Sequence, residues 1–136
     1  MFFQKGMNEL TKYEELMAEY DDELIIEERP IKNAGLYADG VTWIREDMTT
    51  SQKYCVLAEE IGHHKTSVGN ILDQTDTDNV RQELKARRWA YEKILPAAAI
   101  LTAFENGLHC IWDIAEYLDV DELFLKDAMR YYGLLD

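Results

Sequence analysis

The chain has 136 residues and an apolar fraction of 47%, so it is long and hydrophobic enough to fold as one domain around a buried core. It carries 27 acidic and 14 basic residues, which give a formal net charge of −13 at pH 7. This charge disfavours binding to nucleic-acid phosphates and to anionic membranes, and it favours a neutral or basic protein as the partner.

The N-terminal part of the chain shows helical periodicity. Apolar or aromatic residues recur there at the spacing of helical turns: Leu10, Tyr13, Met17 and Tyr20. This pattern predicts a helix over about 8–20, and Asn8 or Thr11 could cap its start.

A small sheet is predicted after this helix. Residues 24–26, LII, precede Pro30, and this arrangement is typical of a short strand. The pair Asp39-Gly40 is a strong signal for a hairpin turn, and β-prone residues stand on both sides of it in GLYADGVTWI. We therefore expect these segments to form an antiparallel sheet.

The rest of the chain is predicted to be helical apart from one loop. A helix over about 50–64 would begin at Asp47, Thr49 or Thr50, and residues 67–79 have the polar, glycine-containing composition of a loop. Further helices are predicted over about 79–95, ending at Pro96, and over 97–105, 110–118 and 121–132. A helix, a small sheet and then several helices indicate an α+β fold.

Residues 55–64, CVLAEEIGHH, place two carboxylates and two imidazoles near the end of the 50–64 helix. At 100° per residue, one stripe of this helix holds an ordinary core face: Tyr54, Leu57, Ala58 and Ile61. Glu59 and His63 lie one turn apart on the far side, and Glu60 lies between the two faces. One hypothesis is a solvated charged face, in which Glu59 and His63 attract each other by roughly 0.3 kcal/mol.

A metal site is the alternative hypothesis for the same residues. Val56 projects close to Glu59 and His63, so other structure could cover this side of the helix, and covered carboxylates need partners. Residues i and i+4 can bind one ion, as in H-E-x-x-H, and zinc accepts carboxylate oxygen in place of the first imidazole. Glu59 and His63 would then be ligands and Glu60 the general base. The shifted pair Glu60 and His64 has the same spacing.

A third ligand would come from the helix QELKARRWAYEKILP. Glu83 lies on the same stripe as Ala86 and Ala90, and small residues on a helix allow a neighbouring backbone to approach closely. A carboxylate on this stripe would point towards the neighbouring helix, so Glu83 is the candidate ligand. The competing hypothesis is an ordinary i,i+4 ion pair between Glu83 and Arg87.

Three segments together resemble the ImmA/IrrE metallopeptidases, and the resemblance covers nearly the whole chain: GLYADGVTWI, CVLAEEIGHH and QELKARRWAYEKILP. The chain is similar to the branch found in prophages and mobile elements of Gram-positive bacteria, where Glu often occupies the first ligand position. The resemblance implies a zincin-like metallopeptidase core over residues 1–96. It also implies a C-terminal helical subdomain, residues 97–136, packed on that core.

The resemblance also implies a cofactor and the roles of individual residues. Zn²⁺ would be bound by His63, by Glu83 and by Glu59, which stands where the family usually has His. Glu60 would be the general base.

An activity and a partner follow from the resemblance as well. The family cleaves helix-turn-helix repressors and so releases a phage or mobile element from dormancy. We therefore expect a zinc-dependent endopeptidase with such a repressor as its protein substrate. The second hypothesis is a peptidase-like module that regulates the repressor by binding it without cutting it.

Nucleic acid and membranes are not expected as direct partners. The segment IWDIAEYLDVDELFLKDAM imitates a helix-turn-helix, but its second helix offers Asp121, Glu122 and Asp127 where a DNA reader needs basic residues. Cys55 and Cys110 are too far apart in sequence to indicate a disulfide framework or a cysteine-based zinc site. Because no segment is typical of a signal peptide or a membrane span, we expect a cytoplasmic protein with reduced thiols. The pattern indicates no particular oligomeric state.

Overall fold

A computed structural model describes residues 9–67 and 76–136 of the chain. The described residues form six helices and a three-stranded sheet, so the predicted α+β class is confirmed. In chain order the elements are α1 (Lys12–Tyr20), β1 (Ile25–Arg29), β2 (Gly35–Ala38), β3 (Val41–Arg45), α2 (Thr50–Thr66), α3 (Asp76–Ile94), α4 (Ala97–Glu105), α5 (Ile111–Leu118) and α6 (Glu122–Tyr131).

Local capping sequences set the starts of α1 and α2. Thr11 caps α1 through a capping box with Glu14, and Thr49 caps α2 through the same arrangement with Gln52. In each box the threonine hydroxyl accepts a hydrogen bond from a backbone N–H of the first turn, which would otherwise lack a partner. Thr11 was one of the two predicted caps of α1, and the other, Asn8, lies outside the described residues.

The loop predicted over 67–79 is partly wrong. Residues 68–75 lie outside the described residues, but α3 already begins at Asp76, so the last four positions of the predicted loop are helical. Asp, Thr and Asn favour loops and also the first turn of a helix, which explains why composition misplaced this boundary. The helix predicted over 97–105 is confirmed, and the ends of the other helices lie within four residues of the predicted ones.

The sheet is mixed, which corrects the expectation of an antiparallel sheet. The hairpin β2–β3 is antiparallel as predicted, with Asp39 and Gly40 at positive φ in its turn. The strand order is β1-β3-β2, and β1 runs parallel to β3. Thr42 and Ile44 of β3 are fully buried, whereas β1 carries three charged residues in IIEER. The apolar strand therefore occupies the centre, and the charged strand lies at an edge.

A single hydrophobic core crosses the predicted domain boundary at residue 96. Its members come from both sides of that boundary and include Ile44, Leu57, Ile61, Leu95, Ile100, Ile114 and Leu125, all fully buried. The predicted core face of α2 is confirmed, since its four residues are all buried. None of the helices in the described part of the chain combines the length and apolar character needed to cross a bilayer.

Candidate functional site

The close packing of α2 on α3 positions the candidate site. A Cβ atom built on Gly62 would lie only 2.3 Å from the carbonyl oxygen of Ala86, so the two helices can approach this closely only with glycine at position 62. Ala86 and Ala90 are fully buried, as the small-residue stripe predicted. His63 follows Gly62 directly, and Glu83 lies one turn before Ala86. The helix contact therefore brings these two side chains towards each other.

His63 and Glu83 are in direct contact. Nε2 of His63 lies 3.0 Å from Oε2 of Glu83, and the two side chains are 21% and 44% exposed. Nε of Arg87 lies 3.6 Å from the other carboxylate oxygen, Oε1 of Glu83. Both contacts that the sequence suggested for Glu83, with the neighbouring helix and with Arg87, are therefore present in one structure.

A cleft of about 380 Å³ opens beside this pair. One wall is β2, which contributes Gly35, Leu36 and Tyr37, and the facing walls are α2 and α3. Glu60, His63 and Glu83 all line it. A Cβ atom at Gly35 would lie 2.8 Å from Oε2 of Glu60, so the glycine leaves room for this carboxylate against the strand. Sequence reasoning missed the part of β2 in this site, although the hairpin comes directly before α2.

Burial raises the pKa of Glu60 to about 8, and the negative charges of Glu59 and Glu83 act in the same direction. Within the described residues no side chain or backbone group donates a hydrogen bond to this carboxylate. A carboxyl group without a donor binds a proton more readily than one in water, because its anionic form is poorly solvated. Glu60 is thus a group that can exchange a proton near neutral pH.

Glu59 faces a different space from Glu60. It lines an adjoining cavity of about 370 Å³ together with Val56 of α2, Arg87 of α3 and Asp127 of α6. Burial raises the pKa of Glu59 to about 7, and the positive charge of Arg87 opposes this shift. The two neighbouring carboxylates of α2 are therefore directed into two adjacent cavities.

His64, the alternative ligand, lies in a separate hydrogen-bond network. Its Nδ1 is 2.8 Å from the hydroxyl of Tyr37, and its Nε2 is 3.1 Å from Oε1 of Glu23. Glu23 also contacts Nζ of Lys65 at 2.8 Å. Both ring nitrogens of His64 thus contact protein groups, one on β2 and one in the segment before β1.

The described residues group no three His, Cys, Asp or Glu side chains in an arrangement that could hold a metal ion. Of the predicted ligands, His63 and Glu83 are in contact, and Glu59 lines the neighbouring cavity. The ligand roles of these residues and the base role of Glu60 stay predictions. The structure adds Tyr37 and Gly35 as neighbours of the candidate site.

Comparison with known proteins gives one match. A family model of the M78 peptidases, described as the IrrE N-terminal-like domain, matches residues 9–129. The matched range contains the sheet, α2, α3 and the cleft between them. No curated protein and no solved structure gives a significant match to the chain.

Proposed function

The chain belongs to the M78 peptidase family of IrrE N-terminal-like domains, a family of metallopeptidases with a zincin-like core, and we propose that it is a zinc-dependent endopeptidase. The observation that carries the proposal is the cleft in which Glu60, His63 and Glu83 face the edge strand β2. It joins a titratable carboxyl, a pair of potential metal ligands and a strand that can bind a peptide.

The donor set of the cleft suits zinc in its chemistry. Zinc in proteins is commonly held by imidazole nitrogen and carboxylate oxygen. Nε2 of His63 and Oε2 of Glu83 lie 3.0 Å apart, so the packing of α2 on α3 already brings one group of each kind together. These two residues would hold the ion together with Glu59, one turn before His63. Zinc would supply a Lewis acid that polarises the carbonyl of the scissile peptide.

Glu60 is the residue that would move the proton in this reaction. It lines the same cleft as His63, and burial brings its pKa to about 8. A carboxylate at this place would take the proton of the attacking water, and the resulting acid would give it to the leaving amine. Gly35 lets this carboxyl lie close against β2, because a Cβ atom there would be 2.8 Å from Oε2 of Glu60.

The edge strand β2 would bind the substrate backbone. Within the described part of the chain β2 pairs only with β3, and residues 35–37 line the cleft. Every second residue of an edge strand directs its N–H and C=O groups away from its partner strand, where an extended peptide can pair with them. We therefore propose an extended segment of a protein as the substrate.

We propose a helix-turn-helix repressor of a phage or mobile element as the protein that supplies this segment. The resemblance to the prophage branch supports this choice, and so does the net charge of −13, since a DNA-binding protein presents a basic surface. The repressor encoded beside the gene of this chain is the first candidate to test.

The proposal is tested with Glu60→Gln, which keeps the shape of the side chain and removes its ability to accept a proton. The variant should retain its fold and zinc but cleave the neighbouring repressor roughly 10²- to 10⁴-fold more slowly than the unchanged protein. Glu105→Gln, at an exposed carboxylate on α4, is the matched control and should cleave normally. Repressor cleavage at the normal rate by Glu60→Gln would contradict the assigned role.

A binding module is the second candidate function, and one observation favours it. Glu59, His63 and Glu83 are not assembled into one group, because Glu59 lines the cavity that contains Arg87. Under this hypothesis the unchanged protein binds the repressor with zinc present and leaves it intact. In cells, Glu60→Gln would then still lift repression, whereas the endopeptidase hypothesis requires it to fail.

A further inference from the structure

A second open groove lies outside the cleft, between the start of α2 and the two C-terminal helices. We call it the α5–α6 groove. It has a volume of about 600 Å³ and is lined by residues from the start of α2, from α5 and α6, and from the turn between these two helices. No step of the proposed peptidase reaction uses it.

Two large apolar side chains of this groove are exposed to solvent. Trp112 of α5 and Leu123 of α6 are each 64% exposed, more than any other large apolar residue in the described ranges. The core already holds these helices through other residues, including Ile114 and Leu125, which are fully buried. Trp112 and Leu123 therefore add little to the folding of α5 and α6. Exposed tryptophan beside a groove is typical of a protein-binding surface.

The charges of the α5–α6 groove are mostly negative. Glu116, Asp119, Asp121 and Glu122 line it, and Lys126 is the single cation among its lining residues. Asp121 also caps α6, because its carboxylate accepts hydrogen bonds from two backbone N–H groups of the first turn. Charge complementarity selects a basic partner, and the apolar pair selects one with large apolar side chains.

The groove is continuous with the cavity that contains Glu59. Gln52, Asp121 and Leu123 line both the groove and the cavity that contains Glu59. Glu59 is adjacent in sequence to Glu60, which lines the cleft. The groove and the cleft share no lining residue in the described part of the chain, so a segment docked in the groove leaves the cleft free.

We propose that the α5–α6 groove docks a basic, amphipathic segment of the protein substrate, separate from the segment that is cut. The identity of this protein rests on the proposed function, but docking requires neither zinc nor Glu60. The groove raises the local concentration of the substrate at the cleft, as any second contact site on one protein does. It also selects substrates by charge at a distance from the scissile bond.

The proposal is tested with a short synthetic amphipathic helix that carries lysines on one face and leucines on the other. Its binding is measured by fluorescence anisotropy, and the contact residues are mapped by amide chemical shifts. We expect Trp112→Ala to weaken binding about tenfold or more, because a tryptophan at the centre of an interface carries much of the binding energy. Leu101→Ala removes an apolar side chain on α4 that is 47% exposed, and this control should bind normally.

Three outcomes would overturn the proposal. Equal losses in Trp112→Ala and Leu101→Ala would mean nonspecific attraction to the acidic surface. Shifts confined to β2 and the cleft would mean that the groove takes no part in binding. A concentration-dependent dimer abolished by Trp112→Ala would assign the groove to a second copy of the chain.

The proposed function is tested apart from docking. Glu60→Gln should bind the basic helix normally, so loss of cleavage with retained docking in this variant supports both proposals. An unchanged protein that docks the basic helix but does not cleave the repressor contradicts only the proposed function. Failure of the unchanged protein to bind the basic helix, with repressor cleavage intact, contradicts only the proposed role of the groove.

Discussion

His63 and Glu83 meet across two helices, with Nε2 and Oε2 3.0 Å apart. The contact depends on the residues beside it, because Gly62 allows the backbone of α2 to lie against the carbonyl of Ala86 on α3. Without an ion the two side chains pair with each other. With zinc bound, the two residues would be its ligands, so zinc binding would replace their direct contact. Substitution of either residue should therefore change the affinity for zinc.

Removing either partner of this pair should remove the metal. We expect His63→Ala and Glu83→Gln each to lower zinc affinity by at least about 100-fold, since even outer partners of a metal site contribute 10- to 100-fold. Isothermal titration of zinc into the chelator-treated protein measures this directly.

The adjacent histidine provides the control for this experiment. His64→Ala breaks the contacts with Tyr37 and Glu23, so it should cost about 1 kcal/mol of stability per lost hydrogen bond and leave zinc affinity nearly unchanged. The opposite result, weak zinc binding in His64→Ala and normal binding in His63→Ala, would assign the site to the shifted pair of Glu60 and His64.

Glu59→His should tighten zinc binding. The substitution restores imidazole at the first ligand position, and imidazole suits zinc better than a single carboxylate oxygen. It also removes a negative charge from the cavity shared with Arg87. Glu105→His, which adds an exposed histidine on α4, controls for zinc bound elsewhere. If Glu59→His binds zinc no more tightly than the unchanged protein, Glu59 is not a ligand.

Capping and turn residues predicted where most of the helices and strands lie, but they did not predict the contacts between segments that are distant in sequence. Thr11, Thr49 and the Asp39-Gly40 turn act through neighbouring residues, so their elements could be located from sequence. The parallel pairing of β1 with β3 could not be predicted in this way. β2 lies between these two strands in sequence, and a short apolar pattern does not indicate which strand it will pair with.

The same limit applies to the candidate site. Helical periodicity placed Glu59 and His63 on one face, but it leaves side-chain torsions open. In the structure Glu59 lines the cavity that Arg87 also lines, and His63 lines the cleft. One partner of His64 is Glu23, which lies 41 residues earlier in the chain. Such a contact leaves no periodic signal, whereas the stripe of small residues on α3 correctly predicted the side that faces α2.

The stability of the zinc-free protein should fall as the pH rises from about 5.5 to about 8.5. Burial raises the pKa of Glu59 to about 7 and that of Glu60 to about 8, both from an ordinary value of 4.5. The folded state therefore holds protons that the unfolded chain has released. These two groups contribute their full stabilisation at pH values below their pKa in the unfolded chain. This stabilisation is lost as the pH rises through their pKa values in the folded protein.

Thermal melting in chelator at the two pH values measures this effect. Glu60→Gln, which cannot ionise, should show a smaller decrease in Tm than the unchanged protein, and Glu105→Gln should show the same decrease. Glu28 affects stability in the opposite sense and only at acidic pH. Its contact with Lys53 lowers its pKa, so the stability that it contributes is lost as the pH falls. An unchanged slope in Glu60→Gln would mean that this carboxyl is ionised in the folded protein throughout the range.

Gly62→Ala should separate the two helices that carry the site. Alanine in a helix is favoured over glycine by about 1 kcal/mol, so an isolated helix would gain stability from the change. Here the new Cβ would lie 2.3 Å from the carbonyl oxygen of Ala86, and backbone cannot move aside as a flexible side chain can. Overpacking of this kind costs about 1–3 kcal/mol, so we expect a net loss of stability in urea unfolding.

Because α2 must shift away from α3, the distance from His63 to Glu83 should grow and zinc affinity should fall together with stability. Gly62→Ser, which adds a Cβ at the same place, should reproduce both losses. A stabilised Gly62→Ala protein that binds zinc normally would show that the helix contact is looser than the structure has it and does not position the site.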